Sequence, residues 1–363
     1  MYNWNKKILI NRYDTLNKLK ENPTNGRKLE KILNDIELLE SYLCDKKEFF
    51  KQEKLINTYN MTKENLLKKQ FLFEDINTFN KNITYLEVQN LKDYPIKTND
   101  LFTIMHDFYY QLDSLLYKHF YKLYQVRETH FRTQKNMPFS GQCLYLSYFD
   151  ECFIEILKTN TIEDILTVLH EYMHAISINI NNYNNLDNKN LYCEIEPLFI
   201  ELIAIDYLKR YFDNDMLDLA KIHKHNNHEV WFDMSNLIIE LIMYEINNKI
   251  VINNNRMLKE IAFNNFMIEK NMLQYIINEV SENTEVEMVG YMFAIELYSL
   301  YQIDPEKALY LLKKIILLRE ENDYEYYQAI INMGIIPNEN INKYSTQCTE
   351  ICQTLKKFDK FCK

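Results

Sequence analysis

The scarcity of chain-breaking residues constrains this sequence more than any other feature. Its 363 residues include only 4 Gly and 6 Pro. Tight hairpin turns and glycine-rich phosphate loops depend on those residues. A chain with so few of them is helical over most of its length. The apolar spacing agrees. In "NGRKLEKILNDIELLESYL" the residues Leu29, Ile32, Leu33, Ile36 and Leu39 share one helical face. The turn before that helix is "PTN" at 23–25 with Gly26. Residues 99–128 repeat the pattern with Leu101, Met105, Phe108, Leu112, Leu115 and Leu116, an aromatic-rich run read as core.

The texture changes at "MPFSGQCLYLSYFDECFIEILKTN", where Pro138 and Gly141 punctuate the chain. "CLYLSY" and "CFIEIL" are short and apolar, and read as two strands joined by a tight turn at "FDE". Helical spacing returns in "NTIEDILTVLHEYMHAISINI", with Thr161 as the expected N-cap, Asp164 three residues later, and Glu163 and Asp164 suited to the positive helix end. A loop, "NNYNNLDNKN", precedes another helix, "LYCEIEPLFIELIAIDYLKRYF". The chain then stays helical to about residue 332, with Pro305 opening "PEKALYLLKKIILLRE". The expected fold is mainly α, with two helical lobes flanking a cleft and a small β-sheet beside the helix of 161–180. The expected divisions are an N-terminal helical region over 1–135, a main region over 136–340 and a C-terminal tail or docking helix over 341–363.

Charge and composition exclude several classes. The formal charge is -10 and the basic residues form no stripe, so no nucleic-acid partner is expected. No apolar run approaches a membrane span, and the apolar run Ile8 to Ile10 is too short for a signal peptide. Seven Cys in a chain this long are not a disulfide framework. Cys348, Cys352 and Cys362 lack zinc-ribbon spacing and read as thiols. The expected compartment is the cytoplasm.

The chemistry is carried by "TVLHEYMHAIS", residues 167–177, which contains His-Glu-x-x-His. Residues four apart on a helix differ by only about 40° in azimuth, so His170 and His174 can share one metal ion. Glu171 is displaced by about 100°, beside the metal and within reach of a metal-activated water. Zinc needs a third protein ligand and leaves its fourth position to water. The next helix offers Glu194, Glu196 and Glu201. Glu194 and Glu201 are seven apart and share a face, whereas Glu196 points elsewhere and is expected to be solvated. The polar run "KIHKHNNHEVW", with His223, His225 and His228, reads as a solvated surface. His106, His119 and His130 read as structural histidines on helices.

Three stretches resemble the zinc oligopeptidases that include thimet oligopeptidase and bacterial oligoendopeptidase F. "NTIEDILTVLHEYMHAIS" is similar to the family's zinc helix and "CEIEPLFIELIAIDYL" to its second metal helix. "MVGYMFAIELYSLY", residues 288–301, is similar to its tyrosine-rich stretch, and "YYQAIINMGIIPNENI" to its C-terminal end. The resemblance covers roughly residues 138–340, in a chain shorter than typical members. It implies one Zn2+ ion held by His170, His174 and Glu194, with Glu201 orienting a ligand histidine. It implies Glu171 as general base, Tyr291 as oxyanion donor and Tyr298 as the second choice. The implied activity is hydrolysis of short or unstructured peptides by a metallo-endopeptidase.

The sequence departs from the family in three places. Met173 stands where the family has Gly, Ser177 stands where a further histidine often follows, and "SENTEVEMVG" lacks the histidine that commonly precedes the tyrosines. These departures motivate an alternative: a catalytically silent zinc-binding relative that binds a peptide or a protein partner. A zinc carboxypeptidase with a similar helix pair is a third reading.

Overall fold

The structure is a computed structural model that describes residues 6–21, 26–43, 55–88, 101–125, 129–135, 140–181, 194–282, 284–318 and 322–357. In chain order the described elements begin with α1 (Lys6–Lys20), α2 (Gly26–Leu43), α3 (Leu55–Lys68), α4 (Phe73–Asn82), α5 (Leu101–Leu112) and α6 (Ser114–Gln125). Three strands follow, β1 (Thr129–Gln134), β2 (Gly141–Leu146) and β3 (Glu151–Leu157). The remainder is helical: α7 (Glu163–Ile180), α8 (Ile195–Leu208), α9 (Asn214–Asn247), α10 (Asn255–Phe266), α11 (Lys270–Glu282), α12 (Thr284–Tyr301), α13 (Pro305–Ile316), α14 (Asp323–Asn332) and α15 (Ile341–Lys357). The fold is mainly α, as the scarcity of Gly and Pro requires. "PTN" and most of the asparagine-rich loop after α7 lie outside the described residues.

Two compact units divide the chain, one formed by Met1–Lys51 with Ile96–Leu186, the other by Gln52–Pro95 with Asp187–Lys363. In the first unit the sheet order is β1-β3-β2. β2 and β3 form the expected antiparallel hairpin, with Cys143 opposite Ile154 and Tyr145 opposite Cys152. The turn between them is held from outside. Asp35 of α2 accepts hydrogen bonds from the Ser147 amide (2.9 Å), the Ser147 hydroxyl (2.9 Å) and the Tyr148 amide (2.8 Å). Leu9 and Leu16 of α1 and Ile32, Ile36 and Leu39 of α2 join Leu144, Leu146 and Phe153 in one apolar cluster. Leu33, expected on that buried face, is 40% exposed.

β1 runs parallel to β3 and was not expected. "THFRTQ" has little apolar periodicity, and Phe131 is its buried anchor. Arg132 pairs with Glu155 of β3 and anchors it further. His130, expected on a helix, therefore lies in a strand. His106 and His119 do lie on helices: His106 meets the Tyr117 hydroxyl at 2.9 Å and His119 meets Asn179 of α7 at 2.5 Å. α7 packs on β2, β3 and α6, which fixes one of its faces against the sheet.

In the second unit α8 packs chiefly on α12. Its residues are apolar nearly all round and almost all buried, so it is a core helix. The 34-residue α9 starts at an Asp213 cap and spans the unit's interior. Its run "KIHKHNNHEVW" is not a solvated surface, because His225 (0% exposed) and His228 (5%) are buried. The extended segment 83–88 accounts for the difference. Asn226 bonds both backbone groups of Leu86 (2.8 and 2.7 Å), and His225 Nε2 donates to the Thr84 carbonyl at 3.1 Å. Polar side chains there satisfy a neighbouring backbone rather than water. Burial holds the His225 imidazole at about 4, well below its ordinary value.

Candidate metal centre

The start of α7 differs slightly from the expected cap. The helix begins at Glu163, with Ile162 at the cap position. The Asp164 carboxylate reaches back to the Thr159 amide (2.8 Å), the Thr159 hydroxyl (2.6 Å) and the Asn160 amide (3.1 Å), while Thr161 Oγ1 accepts from the Glu163 amide at 3.3 Å. Together they supply the reciprocal satisfaction of orphan donors that the spacing of Thr161 and Asp164 suggested.

His170 and His174 stand one turn apart with Nε2 atoms 3.2 Å from each other. The rings are 4.9 Å apart and meet at 75°. Two Zn–N bonds of about 2.0–2.1 Å at a tetrahedral angle place the nitrogens roughly 3.3–3.4 Å apart. The observed imidazole pair fits that geometry to about 0.1–0.2 Å. Both histidines are half-buried, on a helix whose other residues are mostly buried.

Glu171 is 5% exposed and lies against β2. A Cβ on Gly141 would come within 2.5 Å of Glu171 Oε1 and 2.6 Å of Thr167 Cγ2. Along the same strand, Cys143 Sγ lies 3.3 Å from Cys152 Sγ. That contact, burial and the neighbouring Glu171 charge push the Cys143 thiol well above its ordinary value. Met173, the departure from the family's Gly, is fully buried.

The other expected residues belong to the second unit. Glu194 directly precedes α8, and its carbonyl accepts from the Leu198 amide at 3.1 Å to start that helix. Its backbone packs against α12, where a Cβ on Gly290 would lie 2.5 Å from Glu194 Cβ. Glu196 was expected to be solvated and is instead 5% exposed, because the first turn of this core helix has no solvent face. Glu201 is 4% exposed, and both its oxygens meet Lys224 Nζ, at 2.8 and 2.7 Å.

Tyr291 is 1% exposed, donates to the Tyr344 hydroxyl at 3.2 Å and stacks on the His228 ring with centroids 3.7 Å apart. Burial pushes its phenol well above the ordinary value. Tyr298 donates to Asp206 at 2.7 Å and accepts from Lys221 at 3.3 Å. Burial and the Asp206 charge raise it too. Sequence reasoning missed Lys224 and Tyr344, which carry no local motif, and read His228 as solvated, whereas it is buried against Tyr291. It also missed Gly141 and Gly290, although the rarity of glycine was a usable signal.

No family model matches the chain, and no curated protein matches it. Solved structures do. A PZ peptidase A with an inhibitor is 13% identical with a TM-score of 0.53, over 72% of this chain and 50% of its own. A protein described as an oligoendopeptidase F is 11% identical with a TM-score of 0.51, over 84% and 57%. One similarly described, from Bacillus anthracis strain Ames, is 12% identical with a TM-score of 0.50, over 95% and 65%. The chain thus spans between half and 65% of the length of these structures, and it has the oligoendopeptidase F-like fold.

Proposed function

We propose that this chain is a zinc-dependent metallo-endopeptidase acting on short or unstructured peptides in the cytoplasm. The observation that carries the reading is the His170–His174 pair, with Nε2 atoms 3.2 Å apart and the Glu171 carboxylate buried on the same helix. His170, His174 and Glu194 would hold one Zn2+ ion. Bound zinc would supply Lewis-acid polarisation and ease deprotonation of water. Glu171 then takes the proton from the attacking water and delivers it to the leaving amine nitrogen. Confinement against β2 keeps that carboxylate from swinging away. Tyr291 is the assigned donor to the developing oxyanion, with Tyr298 as the second choice. Among the described residues no helix is long and apolar enough to cross a membrane.

One observation favours a second reading, a zinc-binding relative that binds peptide without cleaving it. The Tyr291 hydroxyl is buried and already donates to Tyr344. Zinc content and cleavage of internally quenched peptides, blocked at the C-terminus, separate the readings when wild type is compared with Glu171→Gln. Both proteins should carry one zinc, and the substitution should abolish cleavage. Zinc bound with no difference in cleavage between them would remove the peptidase reading.

A further inference from the structure

We propose that Gly141 and Gly290 are positioning residues that set the two carboxylates Glu171 and Glu194; the inference rests on the zinc-peptidase reading. The chain has 4 glycines in 363 residues. Gly334 is explained by its backbone: its φ is +85°, and nothing lies within 4 Å of where a Cβ would sit. Neither Gly141 nor Gly290 has a positive φ, so neither backbone conformation demands glycine. Both sit where glycine is a poor choice, the first in a strand and the second inside a helix.

What glycine provides at both positions is the absence of a Cβ. At Gly141 that atom would meet Glu171 Oε1 at 2.5 Å, Thr167 Cγ2 at 2.6 Å and Glu171 Cγ at 3.0 Å. At Gly290 it would meet Glu194 Cβ at 2.5 Å, the Glu194 carbonyl carbon at 2.9 Å and Glu194 Cα at 3.2 Å. Ordinary contact begins at 3.4 Å, so each collision requires a displacement near 1 Å. The two displacements differ in kind. At Gly141 the obstacles are all side-chain atoms, of Glu171 and Thr167, and those side chains, the Glu171 carboxylate among them, move while the backbone stays. At Gly290 the obstacle is the Glu194 backbone, so the first residue before α8 moves as a whole. Two of the few glycines thus abut Glu171 and Glu194, the two carboxylates of the proposal.

The two alanine variants therefore fail differently. Gly290→Ala should weaken zinc binding by about tenfold or more, the scale of a disturbed ligand shell. Gly141→Ala should keep zinc affinity within about twofold of wild type and lower kcat by about a hundredfold, as loss of an aligned general base does. Gly334→Ala is the control: it strains the backbone but abuts neither carboxylate, and should leave zinc affinity and kcat within about threefold. The experiment is a zinc titration against a chromophoric chelator for wild type, His170→Ala and the three glycine variants, with kcat and KM in parallel. Wild-type zinc affinity in Gly290→Ala, or an equal loss in Gly334→Ala, would overturn the proposal and leave the peptidase reading standing. Absence of zinc from the wild type would overturn both. If Gly290→Ala does not fold, Gly141→Ala decides, because its obstacles can move without the backbone; unchanged kcat there refutes the positioning role.

Discussion

Lys224→Met separates two roles for Glu201, as partner of a buried ion pair and as support for a metal ligand. The Lys224 and Glu201 side chains are only 20% and 5% exposed, and the ammonium meets both carboxylate oxygens within 2.8 Å. Removing the lysine leaves a carboxylate deep in the second unit without its ammonium. Breaking a buried pair from one side costs 3–5 kcal/mol, and the partial exposure of Lys224 puts the expectation near the lower end, about 3 kcal/mol. For a unit of this size that lowers the melting temperature by roughly 6–12 °C. Adding Glu201→Gln removes the buried charge, so the double variant should recover to within about 1 kcal/mol of wild type.

The assay is a thermal melt followed by far-UV circular dichroism on wild type, both single variants and the double variant, with zinc affinity measured on each. If Glu201 also orients a ligand histidine, zinc affinity falls 10–100-fold in both proteins carrying Glu201→Gln and far less in Lys224→Met alone. A melting shift below about 3 °C for Lys224→Met would refute the buried-pair argument, because it is the size expected of a surface pair of about 1 kcal/mol or less. Equal zinc affinity in all four proteins would refute the supporting role.

Tyr291→Phe removes the donor assigned to the oxyanion and the bond to Tyr344, so kcat should fall about 10²–10³-fold with a stability loss near 1 kcal/mol; stopped-assay kinetics with an unchanged kcat would exclude Tyr291 and leave Tyr298→Phe as the next variant. Asp35 should give a pH signature. Burial pushes its carboxyl up to about 6, above the usual carboxylate range, against the three hydrogen bonds from Ser147 and Tyr148 that oppose the shift. The folded chain then holds that proton more tightly than the unfolded chain, so between about pH 6 and 4 Asp35 adds stability as pH falls, by about 3 kcal/mol over the whole window. Denaturant melts of Asp35→Asn against wild type should show that slope disappear, and parallel slopes would refute it.

The helical fold and the core of the candidate centre were legible because each is written in local periodicity. Sparse glycine and proline pointed to helices, and the hairpin of β2 and β3 was announced by short apolar runs around "FDE". His170, Glu171 and His174 are fixed relative to one another by a single helix, so their geometry follows from spacing alone. The rest depends on what lies across from each residue. β1 was illegible because a parallel strand anchored by Phe131 and Arg132 needs its partner to be recognised. Glu196 and His225 were misread because polarity was taken as exposure, whereas a core helix and the segment at Thr84–Leu86 enclose them. Such groups are legible in sequence only when their partners are near in the chain; His225 and Thr84 are 141 residues apart. Glycine offers a partial remedy. In a chain this poor in glycine, each one asks what a Cβ would strike, and at Gly141 and Gly290 the answers are Glu171 and Glu194. Had those two positions been weighed with the His-Glu-x-x-His motif, the sequence would have pointed to the strand and the helix that confine the carboxylates, as well as to the helices that carry them.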